Sequence, residues 1–140
     1  MCRIGAVRDR DAPLRVRDTL ADRATAILAA PEPPDKVVLS RALAASWQAG
    51  GMEVGAATPP ARPARPRRPV LLPPRDMPRR RNFGSPSGRI ALLHSLAHIE
   101  FNAIDLAWDI IARFGDLGLP QRFYDDWVAV AAEESEHFGV

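Results

Sequence analysis

Glu100 lies in one helix-forming stretch, and Glu134-Ser135-Glu136-His137 closes the next. A carboxylate on one helix facing a Glu-x-x-His on its neighbour is half of the ligand set of a di-iron carboxylate site. Counting by three, four and seven from Glu100 reaches Leu93, Leu96, Ala97, Ala103, Ile104 and Ala107, with Ile111 one turn further on, all apolar. The same count from Glu134 reaches Trp127, Val130, Ala131 and Phe138, and His137 follows one turn along. Two helices therefore each place a carboxylate where a leucine is expected. An unpaired buried carboxylate costs several kcal/mol, so such residues persist when they are paired or metal-bound. Iron or manganese would neutralise them, with imidazole as a further ligand. The competing explanation is plain: Glu-x-x-His arises by chance in helices, and a histidine in a last turn complements the helix dipole.

His94 and His98 form another pair, spaced i,i+4 as zinc ligands often are. Glu100 lies about 200° round the helix from His98, so the pair does not join the Glu100 site directly. An outer-shell or surface role is expected for both, orienting a carboxylate or pairing with Asp105 or Asp109. Trp108, Tyr124 and Trp127 read as packing residues, and Asp125 and Asp126 as acids favoured near a helix start.

The elements that must hold these residues are legible from punctuation. From Arg89 to about Phe114 the pattern is helical, with Ser85 or Ser87 available as a cap, Gly115 and Gly118 as stops, and Pro120 opening a second helix over about 121–138. The short connection makes the two antiparallel neighbours. Upstream, Leu14, Leu20, Ala24, Ile27 and Leu28 suit a helix ended by Pro31-Glu32-Pro33-Pro34. Val37, Val38, Leu43, Ala44 and Trp47 suit another that stops at Gly50-Gly51. Between the two regions, nine of the 14 prolines fall from Pro59 to Pro86, among them the run Pro59-Pro60-Ala61-Arg62-Pro63-Ala64-Arg65-Pro66-Arg67-Arg68-Pro69. It is neither helix interior nor central strand. One reading is an extended strap over the domain surface; the other is an arginine-rich nucleic-acid arm. The arm lacks stacking aromatics, Phe83 being its one ring, and Arg79-Arg80-Arg81 suits a solvated or acid-paired cluster. The expected organisation is a helical region over 1–57, a Pro/Arg-rich strap over 58–88 and a helix pair over 89–140, all-α throughout.

The chain has 140 residues and 46% hydrophobic content, which suits one modest domain. The net charge of +2 hides opposed halves: residues 1–89 carry 17 Lys+Arg against 8 Asp+Glu, and 90–140 carry 2 against 9. The basic strap and the acidic pair should attract each other. One cysteine, Cys2, excludes an internal disulfide. No membrane span or signal-peptide core is present, so a cytoplasmic location is expected.

Three long strings resemble a known family: Pro73-Pro74-Arg75-Asp76-Met77-Pro78-Arg79-Arg80; Leu96-Ala97-His98-Ile99-Glu100-Phe101-Asn102-Ala103-Ile104-Asp105-Leu106; and Phe123 through Phe138. They are similar to an uncharacterised group of ferritin-like proteins, domain-of-unknown-function family 455. The resemblance implies a four-helix ferritin-like bundle with a dinuclear metal site, distantly similar to tRNA-modifying di-iron hydroxylases and rubrerythrin-type proteins. It makes Glu100 the first-helix terminal ligand, Glu134 the bridging carboxylate and His137 the histidine ligand, with His94, His98 and Asp105 outside them. Members of that family are about twice as long and add a further Glu and Glu-x-x-His from a third and fourth helix, which this chain lacks. The expectation is therefore a ferritin-like half-bundle with an open apolar seam: a truncated oxidoreductase or hydroxylase of unknown substrate holding half of a di-iron or manganese site. A homodimer completing the site between two chains, and a nucleic-acid-binding protein on a helical scaffold, are the alternatives.

Overall fold

In the computed structural model, which describes residues 18–70, 73–76 and 84–139, the chain is all-α: α1 Leu20–Ala29, α2 Pro33–Gln48, α3 Pro86–Arg113 and α4 Gln121–Phe138, with one 3-10 turn at Pro74–Asp76. No strand occurs among the described residues. Leu14, Cys2, Phe83 and Arg79-Arg80-Arg81 lie outside them. Each helix begins for a local reason. Thr19 caps α1 in a capping box with Asp22, the Thr19 hydroxyl accepting from the Asp22 N–H at 3.3 Å. Pro33 and Pro34 open α2, where their missing N–H groups cost nothing. Ser85 caps α3, accepting from the Gly88 N–H at 3.1 Å.

The hairpin of α3 and α4 is antiparallel. Tyr124 near the start of α4 donates its hydroxyl proton to the Phe114 carbonyl at the end of α3, at 2.8 Å. At the other end the rings of Phe138 and Phe101 meet at 5.3 Å. The expected half-open seam needs correction here, because α1 packs on α3 and α2 on α4. Leu20, Ile27, Leu28, Leu43 and Trp47 join Ile104, Trp108, Ile111, Tyr124 and Val128 in one core. Trp108, wholly buried, donates its indole N–H to Ser40 Oγ at 2.8 Å, tying α3 to α2. Val38, read from its spacing as an inward residue, is exposed instead.

The core ends where α4 ends. Phe138 meets Phe101, so the first half of α3 projects about 20 Å beyond its partner at 1.5 Å per residue. Ile90, Leu93 and Leu96 on that projection are 68%, 65% and 45% exposed. Leu93 and Leu96, expected in a buried seam, are thus surface residues.

The proline-rich segment 58–70 is extended and pinned. The Ala64 N–H donates to the Leu28 carbonyl at 2.8 Å, satisfying an orphan group of the last turn of α1. Arg113 donates to the Pro60 carbonyl at 2.9 Å. Just before the strap, the carbonyls of Glu53 and Val54 accept from Leu20 and Ala21 at 2.9 Å each, satisfying two orphan donors at the start of α1. This approach depends on Gly55, whose φ is +69° and at which a Cβ would lie 2.3 Å from Thr19 Oγ1. Gly55→Ala is therefore expected to cost about 1–3 kcal/mol from backbone strain alone, read as a lower urea midpoint of the full chain at unchanged slope. An unchanged midpoint would show that the loop does not depend on that backbone geometry.

Candidate metal centre

The residues singled out on α3 and α4 converge. One ligand atom each from Glu100, Glu134 and His137 can be chosen so that all lie within 4.8 Å of one another. His137 Nδ1 is 3.6 Å from Glu134 Oε2 and 3.8 Å from Glu100 Oε2, ion-pair distances too long for hydrogen bonds. The Phe138–Phe101 contact places the last turns of α4 alongside the middle of α3, where Glu100 lies.

The seam at this point is half open. The side chains of Glu100 and Glu134 are 28% and 24% exposed and that of His137 61%, so the carboxylates are partly rather than fully desolvated, contrary to the buried position expected. The fully buried stripe of α4 lies round the helix at Tyr124, Val128, Ala131 and Ser135, facing the core.

Two observations test whether a cation fits. Glu134 Oε2 is buried and has no hydrogen-bond donor; buried polar atoms normally have one. Glu100 is held above the usual carboxylate range, first by its hydrogen bond with Glu134, then by burial and by the Glu134 charge, against a smaller opposing pull from His137. A carboxyl pushed up by a neighbouring carboxylate, beside a buried oxygen with no donor, is a place into which a divalent ion fits. Ligands of one first-row ion sit up to about 4 Å apart, so the three donors need only close up slightly.

The outer residues are arranged otherwise than expected. Asp105 does not serve the Glu100 site or pair with a histidine. It is buried and bound by the ammonium of Lys36, itself wholly buried in α2, and by Arg65 Nη2 of the strap at 2.9 Å. Burial pushes Asp105 upward against the pull of Lys36 and Arg65, and pushes Lys36 downward against the pull of Asp105. Arg65 also donates to Asn102 Oδ1 at 2.6 Å and lies 4.5 Å over the Phe101 ring. Asp109 pairs with Arg113 at 2.6 Å. His94 and His98 line a pocket beneath the strap instead. Sequence reasoning missed Lys36 and Arg65. The available signal was Lys36 among the inward-facing positions of α2, one residue before Val37 and four before Ser40.

Among the described residues no helix is long and apolar enough to cross a membrane. The family described as "Protein of unknown function (DUF455)" matches residues 29–140, so the chain belongs to that family. An uncharacterized protein of Haemophilus influenzae is 46% identical over a stretch covering 54% of this chain and 27% of the relative. The chain thus spans about a quarter of the length of that relative. No solved structure matches it.

Proposed function

We propose that this member of the DUF455 family is a metal-binding helical protein whose Glu100, Glu134 and His137 hold one side of a non-haem iron or manganese centre. The orphaned, buried Glu134 Oε2 beside a second carboxylate and an imidazole carries this reading. The His137 imidazole stands 3.6 Å from Glu134 and 3.8 Å from Glu100, and in this reading Glu134 takes the bridging role that the family resemblance implies. Such a centre, when bound, supplies activation of O₂ or peroxide for hydroxylation or oxidation. The chain's own contribution is to hold two carboxylates and an imidazole together on neighbouring helices, so that binding displaces the proton that the raised Glu100 carboxyl retains. Three protein donors leave an ion open on one side, so the reading is of half a ferritin-like dinuclear site.

Metal content of the purified chain, loaded with ferrous iron without oxygen, tests this. Wild type is expected to retain iron through desalting and Glu134→Ala to lose it. Equal iron in both contradicts the assignment.

The exposed stripe of Ile90, Leu93 and Leu96, leading straight to Glu100, favours a second reading in which two copies close the seam over each other and a two-fold axis turns three ligands into six. Sedimentation velocity with and without ferrous iron separates the two: iron-dependent dimerisation supports the shared centre, and a monomer under both conditions removes it.

A further inference from the structure

Beneath the proline strap lies a cavity of about 180 Å³ that the metal centre does not use. Its walls are Pro66 and Pro69 from the strap, Pro33 at the start of α2, Ala97 and Phe101 from α3, and Phe138 from α4. Its polar lining is Arg65, His94 and His98, with no carboxylate lining it among the described residues.

The charge beneath it is unbalanced. Lys36 and Arg65 both pair with Asp105, two cations on one anion, of which Lys36 is wholly buried and Arg65 partly so. Arg65 Nη1 is buried without a hydrogen-bond acceptor, while Nη2 donates to Asn102 and forms an ion pair with Asp105 Oδ2, an atom that itself has no hydrogen-bond donor. The two imidazoles, set one turn apart on α3, add N–H donors on the same side. The cavity is thus an apolar slot, walled by two rings and three prolines, with surplus positive charge at one side and hydrogen-bond donors beside it. Apolar cavities of ~150 Å³ hold a benzene ring, so this one is slightly larger than a bare ring needs.

We propose that the slot beneath the strap binds a small monocarboxylate with a compact apolar or aromatic body, its carboxylate met by Arg65 and the His94/His98 pair and its body against the wall that Phe101 and Phe138 form together. This proposal stands apart from the metal reading: it uses none of Glu100, Glu134 or His137, and either can fail without the other.

Benzoate is the probe, titrated into the full chain and followed by backbone amide shifts, beside neutral benzamide and cationic benzylamine of nearly the same shape. The expected result is saturable benzoate binding centred on Arg65, His94, His98 and Phe101, at least tenfold tighter than benzamide, with no binding of benzylamine. Ala97→Phe, which fills the slot from the exposed side of α3 and leaves the Lys36, Asp105 and Arg65 trio in place, should abolish it while amide dispersion shows the fold intact. His98→Ala should weaken benzoate severalfold and leave benzamide unchanged. Benzamide equal to benzoate, or shifts that persist in Ala97→Phe, would overturn the proposal.

Discussion

Asp105→Ala is expected to lower the unfolding free energy by about 3–5 kcal/mol, the usual loss when one partner of a buried ion pair is removed. Lys36 is wholly buried, and its one other acceptor is the Leu28 carbonyl at 3.5 Å, so losing Asp105 leaves an ammonium with almost no compensation. A domain of this size has ~5–15 kcal/mol in all, so the variant should be largely unfolded at temperatures the wild type tolerates. The mirror change is milder. Lys36→Met removes the buried cation but leaves Asp105 with Arg65 at 2.9 Å, so it should cost about 1–2 kcal/mol, within the range of ordinary core substitutions. The double variant Lys36→Met/Asp105→Leu should recover most of the loss, since apolar groups of similar volume replace buried ion pairs at little cost. Urea denaturation at constant slope reads all three. If Asp105→Ala costs no more than Lys36→Met, the trio does not join the strap, α2 and α3 in the way described.

Glu100→Gln is expected to move apo stability and metal affinity in opposite directions. The Glu100 carboxyl is held above its ordinary range by its hydrogen bond with Glu134, by burial and by the Glu134 charge. A group raised on folding binds its proton more tightly in the native state. Its contribution is therefore fully present below the ordinary glutamate range and is lost as pH rises through the elevated value. The metal-free wild type should lose stability across that window, and Glu100→Gln, which keeps a donor facing Glu134 at every pH, should not. Metal binding must expel the Glu100 proton, so wild-type affinity should climb with pH over the same window. The glutamine variant, neutral and a poorer ligand, should bind more than about 100-fold more weakly, since loss of even an outer-shell partner costs 10–100-fold. Parallel pH profiles of stability for the two metal-free proteins would show that Glu134 does not hold the Glu100 carboxyl above its ordinary range.

The hairpin was readable because its signals are local. Gly115, Gly118 and Pro120 mark the connection, and the structure's α3 and α4 lie within three residues of the expected bounds. Spacing by three and four then brought Glu100, Glu134 and His137 onto facing stripes, and the structure sets them together. Burial was less legible. Periodicity finds an apolar face but does not say where its partner stops, so Leu93 and Leu96 looked identical to Ile104 and Ala107 although α4 covers only the latter pair. Nor do short helices announce their docking. Leu20, Ile27 and Leu43 gave an amphipathic pattern, and only the tertiary arrangement shows that they cover the hairpin. The Lys36–Asp105 pair spans 69 positions, beyond the reach of any spacing rule. Asp105 consequently looked like a partner for a neighbouring histidine on its own helix. Arg65 was hidden among the arginines of the strap; of those described, Arg62, Arg67, Arg68 and Arg75 stay at the surface while Arg65 reaches Asp105.

The most direct measurement of the central claim is titration of Mn(II) into the metal-free chain, with the free ion followed by its electron paramagnetic resonance signal. The wild type is expected to quench the signal saturably, with Glu134→Ala and His137→Ala each leaving it near the protein-free intensity while their circular dichroism stays helical. Quenching by Glu134→Ala equal to that of wild type would contradict the assignment of Glu100, Glu134 and His137 as a metal centre.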